Sequence, residues 1–245
     1  MDFCIIDVFE KDSNELNLLR LAYKDATFSP GTMQVAEVNK ETENLFLDTK
    51  NNLEMERDTL DPSHKYYFHY RKNSYYAQCY DLVKEAVEKN ADLRTHTMMN
   101  RNNDFIFSKY LEGGYYHQHV DNQRMGRMRT DYSCTLFIND PEEYEGGELC
   151  IDIGTHEVKY KLEAGKAIVY PTGVKHRVDK VTSGERHVCV FWIESALQDT
   201  RMRELYRGLD IMINKYLYEP DAAVLISQKG FELQHHIMRH FAQYI

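Results

Sequence analysis

The sequence predicts a mostly β protein with flanking helices, in which the central strands form a jelly-roll or a barrel. Three observations indicate this class. Short strand-like runs with turn signals between them follow one another from about residue 104. After Glu194 the apolar residues recur at helical spacing. A chain of 245 residues with 42% hydrophobic residues suits one domain with added elements.

The first hundred residues predict a strand, two helices and a long loop. Residues 1–9 read as a short strand, and "SNELNLLRLAYKDA" reads as a helix with Ser13 as its N-cap. Residues 30–66 are polar and contain Pro and Gly breakers, so we expect a long loop there. Apolar residues at helical spacing predict a second helix in "SYYAQCYDLVKEAVEKN".

Strand-like runs then fill the chain up to Glu194. They are "DFIFSKY", "YYHQHVDN", "YSCTLFIN", "ELCIDI", "HEVKYKL", "KAIVYP", "VKHRVDKV" and "RHVCVFWIE". Segments such as "NDPEEYEGG" and "TSGE" separate them and are interpreted as turns. About eight strands at this spacing are typical of a jelly-roll or a barrel.

Two apolar stripes at helical spacing mark the C-terminal region. The first contains Leu205, Leu209, Met212, Ile213 and Tyr216, and the second contains Leu233, Ile237 and Phe241. We expect both stripes to belong to the core. The alternative is that these C-terminal helices form a homodimer interface.

Charge and cysteine usage restrict the partners and the compartment. The net charge of −9 argues against nucleic acid or an anionic membrane as a partner, because both would repel the protein. The five cysteines are scattered and lack a CxxC pair, so a disulfide framework is not expected. No signal peptide and no run of about 18 apolar residues is visible. We therefore expect a soluble, cytoplasmic protein.

The stretch "GGYYHQHVDN", residues 113–122, is a candidate metal site. Side chains at i and i+2 of a strand share a face, so His119 could act with Asp121 or with His117. His176, 57 residues after His119, follows "GKAIVYPTGVK" and is the best-placed third ligand. Two histidines and one carboxylate are typical of non-haem Fe(II) oxygenases.

A candidate anchor for an anionic co-substrate follows on the next strand. Arg186 comes ten residues after His176 and shares a predicted face with Val188, Val190 and Trp192. An arginine on an otherwise apolar face is costly unless it is paired. We interpret Arg186 as a bidentate carboxylate anchor; the alternative is an exposed arginine on an edge strand.

These residues together resemble the Fe(II)/2-oxoglutarate-dependent dioxygenases of the prolyl 4-hydroxylase-like superfamily. "YLEGGYYHQHVD" is similar to the Y-x-x-G-G-x-Y-x-x-H-x-D signature of that branch, with a distal histidine and an arginine ten residues later. The segment from "LQDTRMRELYRGLD" onward looks most like the PKHD-type (PiuC-like) hydroxylases. The resemblance covers residues 104–217 and is poor over residues 1–100.

The resemblance implies a double-stranded β-helix core and a set of site residues. His119, Asp121 and His176 would be the catalytic Fe(II) ligands, and Arg186 would bind the C5 carboxylate of 2-oxoglutarate. The co-substrate pocket would also include Tyr110, Val178 and Trp192. In one departure, Phe137 stands where some members place a tyrosine that touches this carboxylate. A second hydrogen bond must then come from elsewhere, with Tyr110 or Thr135 as candidates.

The implied function is hydroxylation of an unactivated C–H bond, with 2-oxoglutarate and O2 consumed and succinate and CO2 formed. The expected substrate is a prolyl or other amino-acid side chain of a protein or peptide, and ascorbate is the expected reductant. A free amino acid or small metabolite is the alternative. We expect residues 1–103 to be an N-terminal α/β elaboration, 104–195 the dioxygenase core and 196–245 a helical extension, within one structural domain.

Two other classes compete with the oxygenase. "GKAIVYPTGVKH" fits the second cupin motif except at Lys180, and a cupin would use His117 as a ligand. However, the glutamate of the first cupin motif is missing after His119. The second alternative is a binding domain of the same fold without catalysis. The segment "RMGRMR", residues 124–129, is either a solvated loop or a flexible lid that contacts an acidic substrate.

Overall fold

The strand-rich region folds into two facing β-sheets in the computed structural model, which describes residues 2–31, 50–57, 74–219 and 223–243. The strands are β1 (Cys4–Asp7), β2 (Phe28–Pro30), β3 (Lys50–Asn51), β4 (Leu53–Met55), β5 (Met99–Asn102), β6 (Ile106–Tyr110), β7 (Tyr115–His119), β8 (Arg124–Met125), β9 (Met128–Arg129), β10 (Tyr132–Phe137), β11 (Tyr144–Gly146), β12 (Leu149–Asp152), β13 (Glu157–Tyr160), β14 (Lys166–Pro171), β15 (His176–Val178), β16 (Val181–Gly184) and β17 (Arg186–Ser195).

The order of the strands produces the roll. Among the described residues, the larger sheet runs β1-β14-β10-β17-β6-β4-β2, with β5 beside β17. The smaller sheet runs β13-β12-β15-β7-β3, and the pairings in both sheets are antiparallel. The predicted class, mostly β with flanking helices around a double-stranded β-helix, is confirmed.

Three helices lie between the first strands of the chain, and the others follow the last strand. They are α1 (Asn14–Asp25), α2 (Tyr75–Lys89), α3 (Ala91–Thr97), α4 (Thr200–Tyr216), α5 (Ala223–Leu225) and α6 (Phe231–Phe241), with a π-helical turn at Ile226–Gly230 before α6. The Ser13 hydroxyl accepts a hydrogen bond from the Leu16 amide at 3.2 Å. The predicted N-cap of α1 is thus confirmed.

The two larger of the three hydrophobic clusters among the described residues lie on opposite faces of the larger sheet. Between the sheets, Phe137, Ile151 and Val188 belong to one buried cluster, to which both sheets contribute. On the outer face of the larger sheet, Leu16 of α1 and Val83 of α2 are fully buried in a second cluster. The larger sheet is therefore covered on both faces, which explains the nearly continuous apolar character of β10 and β17.

Two segments interpreted as turns contain strands. Within "NDPEEYEGG", β11 pairs with β16, which occupies most of "VTSGE". Both strands are short and rich in polar residues or glycine, so neither shows the alternation by which strands are recognised. The expected loop at 30–66 is also wrong where the structure describes it, since β3 and β4 form there; its residues 32–49 and 58–66 lie outside the described part.

The expectation that the C-terminal stripes are core is largely wrong. Ile213 and Ile237 are buried. Five other members are more than a third exposed in the described chain: Leu205, Met212, Tyr216, Leu233 and Phe241. The reason is that α4 docks through charged side chains. Arg203 is 4% exposed, and together with Arg207 it faces the carboxylate of Asp2.

Asp2 is the centre of a buried polar network that fastens α3 and α4 to the roll. Its carboxylate accepts a hydrogen bond from the Tyr132 hydroxyl and pairs with Arg207. His96 Nε2 lies 3.1 Å from the same carboxylate. Burial opposes ionisation of Asp2, but the hydrogen bonds from His96, Arg207 and Tyr132 outweigh it and lower the pKa of Asp2.

Replacing Asp2 by asparagine should destabilise the protein by about 3 kcal/mol, because Arg207 would lose its carboxylate partner and Arg203 would keep only Asp131 among the described residues. The free energy of unfolding in urea measures this effect. Asp7→Asn is the matched control, since Asp7 is 78% exposed and lies 3.9 Å from its partner Lys166. Equal losses of unfolding free energy in the two variants would contradict the role of Asp2 as a counter-charge for the arginines.

Stability should also fall at acid pH through Asp2. Because the pKa of Asp2 is lower in the folded than in the unfolded state, its contribution is present above about pH 4, the unfolded pKa. It should be lost progressively as the pH falls from there toward the lowered folded value. Urea unfolding of wild type and Asp2→Asn at pH 6 and pH 3 should show a smaller difference at the lower pH.

Candidate metal centre

The pairing of two strands brings the candidate ligands together. His119 ends β7 and His176 begins β15, and the antiparallel register places these two residues opposite each other. The centres of the two imidazole rings are 4.3 Å apart. Asp121 lies two residues beyond the end of β7, so the predicted extension of that strand to residue 122 is wrong.

The three side chains point at a common position. Asp121 Oδ1 is 3.4 Å from His119 Nε2 and 3.6 Å from His176 Nε2. The three candidate ligand atoms all lie within 4.8 Å of one another. This spacing is close enough for one ion to bind all three, in the two-histidine, one-carboxylate pattern that leaves three positions open.

Backbone carbonyl groups fix the tautomer of both histidines. His119 Nδ1 is 2.8 Å from the carbonyl oxygen of His117, and His176 Nδ1 is 3.0 Å from that of Val174. Since a carbonyl oxygen only accepts, Nδ1 carries the proton and Nε2 keeps its lone pair for a metal. Burial lowers the pKa of His176 below its usual value, which favours the neutral, ligating form.

The carboxylate of Asp121 is divided between two tasks. Its Oδ2 atom accepts hydrogen bonds from Ser133 Oγ at 2.7 Å and from Trp192 Nε1 at 2.9 Å. Oδ1 is left to face the histidines. Burial would raise the pKa of Asp121, but His119, His176 and Ser133 together lower it to about 2. The donor set is thus two neutral imidazoles and one ionised carboxylate, which suits Fe(II).

Arg186 is a buried cation beside this group. Its side chain is 1% exposed, and the guanidinium lies 5.0 Å from the centre of the Tyr110 ring and 5.4 Å from that of Phe137. Its Nε has no hydrogen-bond partner. Within the described part of the chain, no carboxylate forms an ion pair with it. A buried charge in this state is costly, and a bound carboxylate would compensate it.

One cavity of about 880 Å³ is lined by all eight residues that the sequence nominated for the metal and co-substrate site. Its lining includes Tyr110, His119, Asp121, Thr135, His176, Val178, Arg186 and Trp192. Burial raises the pKa of Tyr110 to about 12, although the Arg186 charge opposes the rise, so this phenol stays protonated. His117 is exposed and takes part through its backbone carbonyl, so its imidazole does not join the ligand group as a cupin would require.

Sequence reasoning missed several contacts of the site. The Tyr116 ring stacks on His119 at 3.8 Å, and the Tyr170 ring meets His176 edge-on at 5.2 Å. Ser133, which holds Asp121, lies two residues before Thr135 on β10. The period of two along β10 could have indicated Ser133, because Thr135 and Phe137 were already assigned to that face.

The arginine-rich segment is a hairpin, which corrects the expectation of a loop without strands; the alternative of a lid that contacts substrate stays a prediction. β8 pairs with β9 at residues 124–129, and Met125 and Gly126 line the cavity. Arg129 is held by Asp131 at 2.8 Å and by the carbonyl oxygen of Ser195 at 2.7 Å. Arg129 is therefore structural, whereas Arg124 and Arg127 are exposed.

Comparison with known proteins gives a match over the central part of the chain. Residues 105–194 match the 2OG-Fe(II) oxygenase superfamily, and this range contains all eight nominated residues. The resemblance stated from the sequence is confirmed over these residues.

Curated relatives carry the name PKHD-type hydroxylase. One from Acaryochloris marina is 44% identical over 130 residues, which cover 53% of this chain and 59% of that protein. One from Prochlorococcus marinus is 42% identical over 130 residues, with the same two shares. The chain thus spans less than two thirds of the length of these relatives.

Solved structures with a similar shape include two prolyl hydroxylases. A prolyl-4-hydroxylase of Pseudomonas putida has a TM-score of 0.47 and 17% identity, and the match covers 79% of this chain and 92% of that one. A prolyl hydroxylase of Trichoplax adhaerens, in complex with a hypoxia inducible factor peptide fragment, has a TM-score of 0.49, 16% identity and shares of 83% and 86%. Among the helices that the structure describes, none has the length and apolar character to cross a membrane.

The hydrogen bonds around the ligands predict different effects of neighbouring substitutions on metal binding. Trp192→Phe removes the donor to Asp121 Oδ2, so the Kd for Mn(II), a redox-stable substitute for Fe(II), should rise about tenfold. His117→Ala should leave this Kd unchanged within about twofold, because only the backbone carbonyl of residue 117 contacts His119. Isothermal titration calorimetry measures both. A large loss in His117→Ala would make that imidazole a ligand and favour the cupin arrangement.

Proposed function

We propose that the protein is an Fe(II)- and 2-oxoglutarate-dependent dioxygenase that hydroxylates an unactivated C–H bond of a prolyl or other amino-acid side chain. The observation that carries the proposal is the combination of His119, Asp121 and His176 with an unpaired Arg186 in one cavity. The first three supply the donors for the ion. Arg186 supplies the missing counter-charge for a dicarboxylate.

In this proposal, His119 Nε2, Asp121 Oδ1 and His176 Nε2 hold the ion. Bound there, Fe(II) supplies the oxidative decarboxylation of 2-oxoglutarate to succinate and CO2 and the transfer of one oxygen atom to the substrate. Arg186 binds the distal carboxylate of the co-substrate and fixes its orientation. Tyr110, held protonated by burial, can donate a hydrogen bond into the same pocket.

Apolar side chains beside Arg186 shield the bound co-substrate from water. Val178 is 7% exposed and Trp192 is 7% exposed, and both lie along the wall with Arg186. Thr135 lies on the same inner face of β10 as Ser133. A dry pocket strengthens the attraction between the guanidinium and a bound carboxylate.

The substrate is proposed to be an amino-acid side chain of a protein or peptide. The support is the PKHD-type hydroxylase name of the relatives and a cavity of about 880 Å³. Its lining carries charges of both signs in the pairs Lys50–Glu54 and Arg57–Asp104, which suit the polar backbone around a substrate side chain. A free amino acid or small metabolite is the alternative outcome of a substrate screen scored by the gain of one oxygen atom.

The remaining assignments belong to the same proposal. Residues 104–195 would be the catalytic core, with residues 1–103 packed on it and 196–245 as a helical extension. The exposed apolar residues of α4 and α6 would form a homodimer interface. We also propose that the protein is cytoplasmic and uses ascorbate as reductant. Nucleic acid and membranes are not proposed as partners.

The central test is the co-substrate complex. Without oxygen, Fe(II) and 2-oxoglutarate should give a visible charge-transfer band with the wild type, and this band should be lost in Asp121→Ala and His176→Ala. Arg186→Ala should weaken 2-oxoglutarate binding at least tenfold, because it removes a charge-assisted hydrogen bond, and should leave the Kd for Mn(II) nearly unchanged.

His156→Ala is the control, since His156 lies exposed in a turn. The absence of a band in the wild type, together with no succinate formed in air, would refute the proposed function. An equal loss of ion and co-substrate binding in Arg186→Ala would instead make Arg186 a structural residue.

A further inference from the structure

The carboxylate pocket around Arg186 contains two hydroxyl groups nominated from the sequence, those of Tyr110 and Thr135. The Phe137 ring lies 5.4 Å from the guanidinium but carries no hydroxyl. Tyr110 presents its ring to the guanidinium at 5.0 Å. The Thr135 side chain lies near Tyr170, and their interaction lowers the pKa of Tyr170 against a larger rise due to burial. Among the described residues, neither nominated hydroxyl forms a hydrogen bond with the guanidinium.

Tyr144 carries a buried hydroxyl with no partner. This residue begins β11 and is 3% exposed. Its hydroxyl is among the few buried side-chain atoms that make no hydrogen bond in the described structure, and Arg186 Nε is another. Leaving a buried hydroxyl unsatisfied costs about 1–3 kcal/mol, so an arrangement with two such groups calls for a ligand that pairs with both.

The two unpartnered groups are neighbours. A Cβ atom built on Gly147 would lie 3.1 Å from Arg186 Cδ and 3.1 Å from Tyr144 Cε2, so these two atoms are at most 6.2 Å apart. Gly147 has a φ of +68°, which favours glycine, and its lack of a side chain leaves room for both groups. Burial raises the pKa of Tyr144, whereas the charge of Arg186 and a side-chain interaction with its guanidinium oppose the rise, which also reports their proximity.

We propose that the Tyr144 hydroxyl donates the second hydrogen bond to the distal carboxylate of the co-substrate, beside Arg186. This inference rests on the proposed function. Tyr144 thereby replaces the hydroxyl that Phe137 lacks, from a different strand of the roll. One carboxylate oxygen would accept from the guanidinium and the other from Tyr144, and both buried groups would be satisfied by one ligand.

The proposal predicts a loss of affinity that depends on the distal carboxylate. In anaerobic titrations of the Fe(II)-loaded protein, followed by the charge-transfer band, Tyr144→Phe should raise the Kd for 2-oxoglutarate about tenfold. The Kd for 2-oxobutanoate, which has no distal carboxylate, should stay within about twofold. Phe137→Tyr in the Tyr144→Phe background should recover most of the lost affinity, because it returns a hydroxyl to the same pocket.

Tyr160→Phe is the matched control. Tyr160 lies on β13 and packs against the buried cluster between the sheets, but Arg186 is not among the groups that influence its pKa. It should bind both 2-oxo acids like the wild type. Circular dichroism confirms that each variant is folded.

The outcomes separate this inference from the proposed function. A wild type that binds neither 2-oxo acid would refute the function and the inference together. A wild type that binds 2-oxoglutarate, with an unchanged Kd in Tyr144→Phe, would overturn the role of Tyr144 alone. An equal loss of both 2-oxo acids, or a selective loss that Phe137→Tyr does not reverse, would also overturn direct donation by Tyr144.

Discussion

The site depends on the register between β7 and β15. Because His119 stands opposite His176 in this antiparallel pair, two residues separated by 57 positions present their imidazoles to the same point. A shift of one residue would turn one imidazole to the other face of the sheet. The carbonyl groups that fix both tautomers belong to residue 117, which lies within β7, and to residue 174, which lies two residues before β15. Strand pairing therefore sets both the position and the protonation of the ligands.

The second constraint is the contrast between paired and unpaired buried charges. The fold compensates Arg203 with Asp131 at 3.5 Å, and it compensates Glu194 with Arg101 at 2.9 Å. These pairs stabilise the attachment of α4 and the edge of the larger sheet. Arg186 is as deeply buried, yet among the described residues it has aromatic rings rather than an acid around it. The described part of the fold thus leaves Arg186 without a counter-charge, and the binding of an external anion would offset the cost of burying its charge.

Much of the site was predictable because it follows short-range rules. The i, i+2 spacing and the face of β17 nominated His119 and Arg186, and the resemblance selected Asp121 over His117. Tyr144 could not be found in this way, since it lies in a segment that reads as a turn and approaches Arg186 only through the pairing of β11 with β16. The apolar stripes of α4 and α6 were assigned to the core because periodicity defines a face without saying what it contacts. In the structure, α4 is held instead by buried arginines around Asp2.

The most direct measurement is a crystal structure of the protein with Mn(II) and 2-oxoglutarate, grown without oxygen. The account predicts one ion bound by His119 Nε2, Asp121 Oδ1 and His176 Nε2, with the distal carboxylate of 2-oxoglutarate on Arg186. An ion bound through the His117 imidazole, or a co-substrate carboxylate away from Arg186, would contradict it.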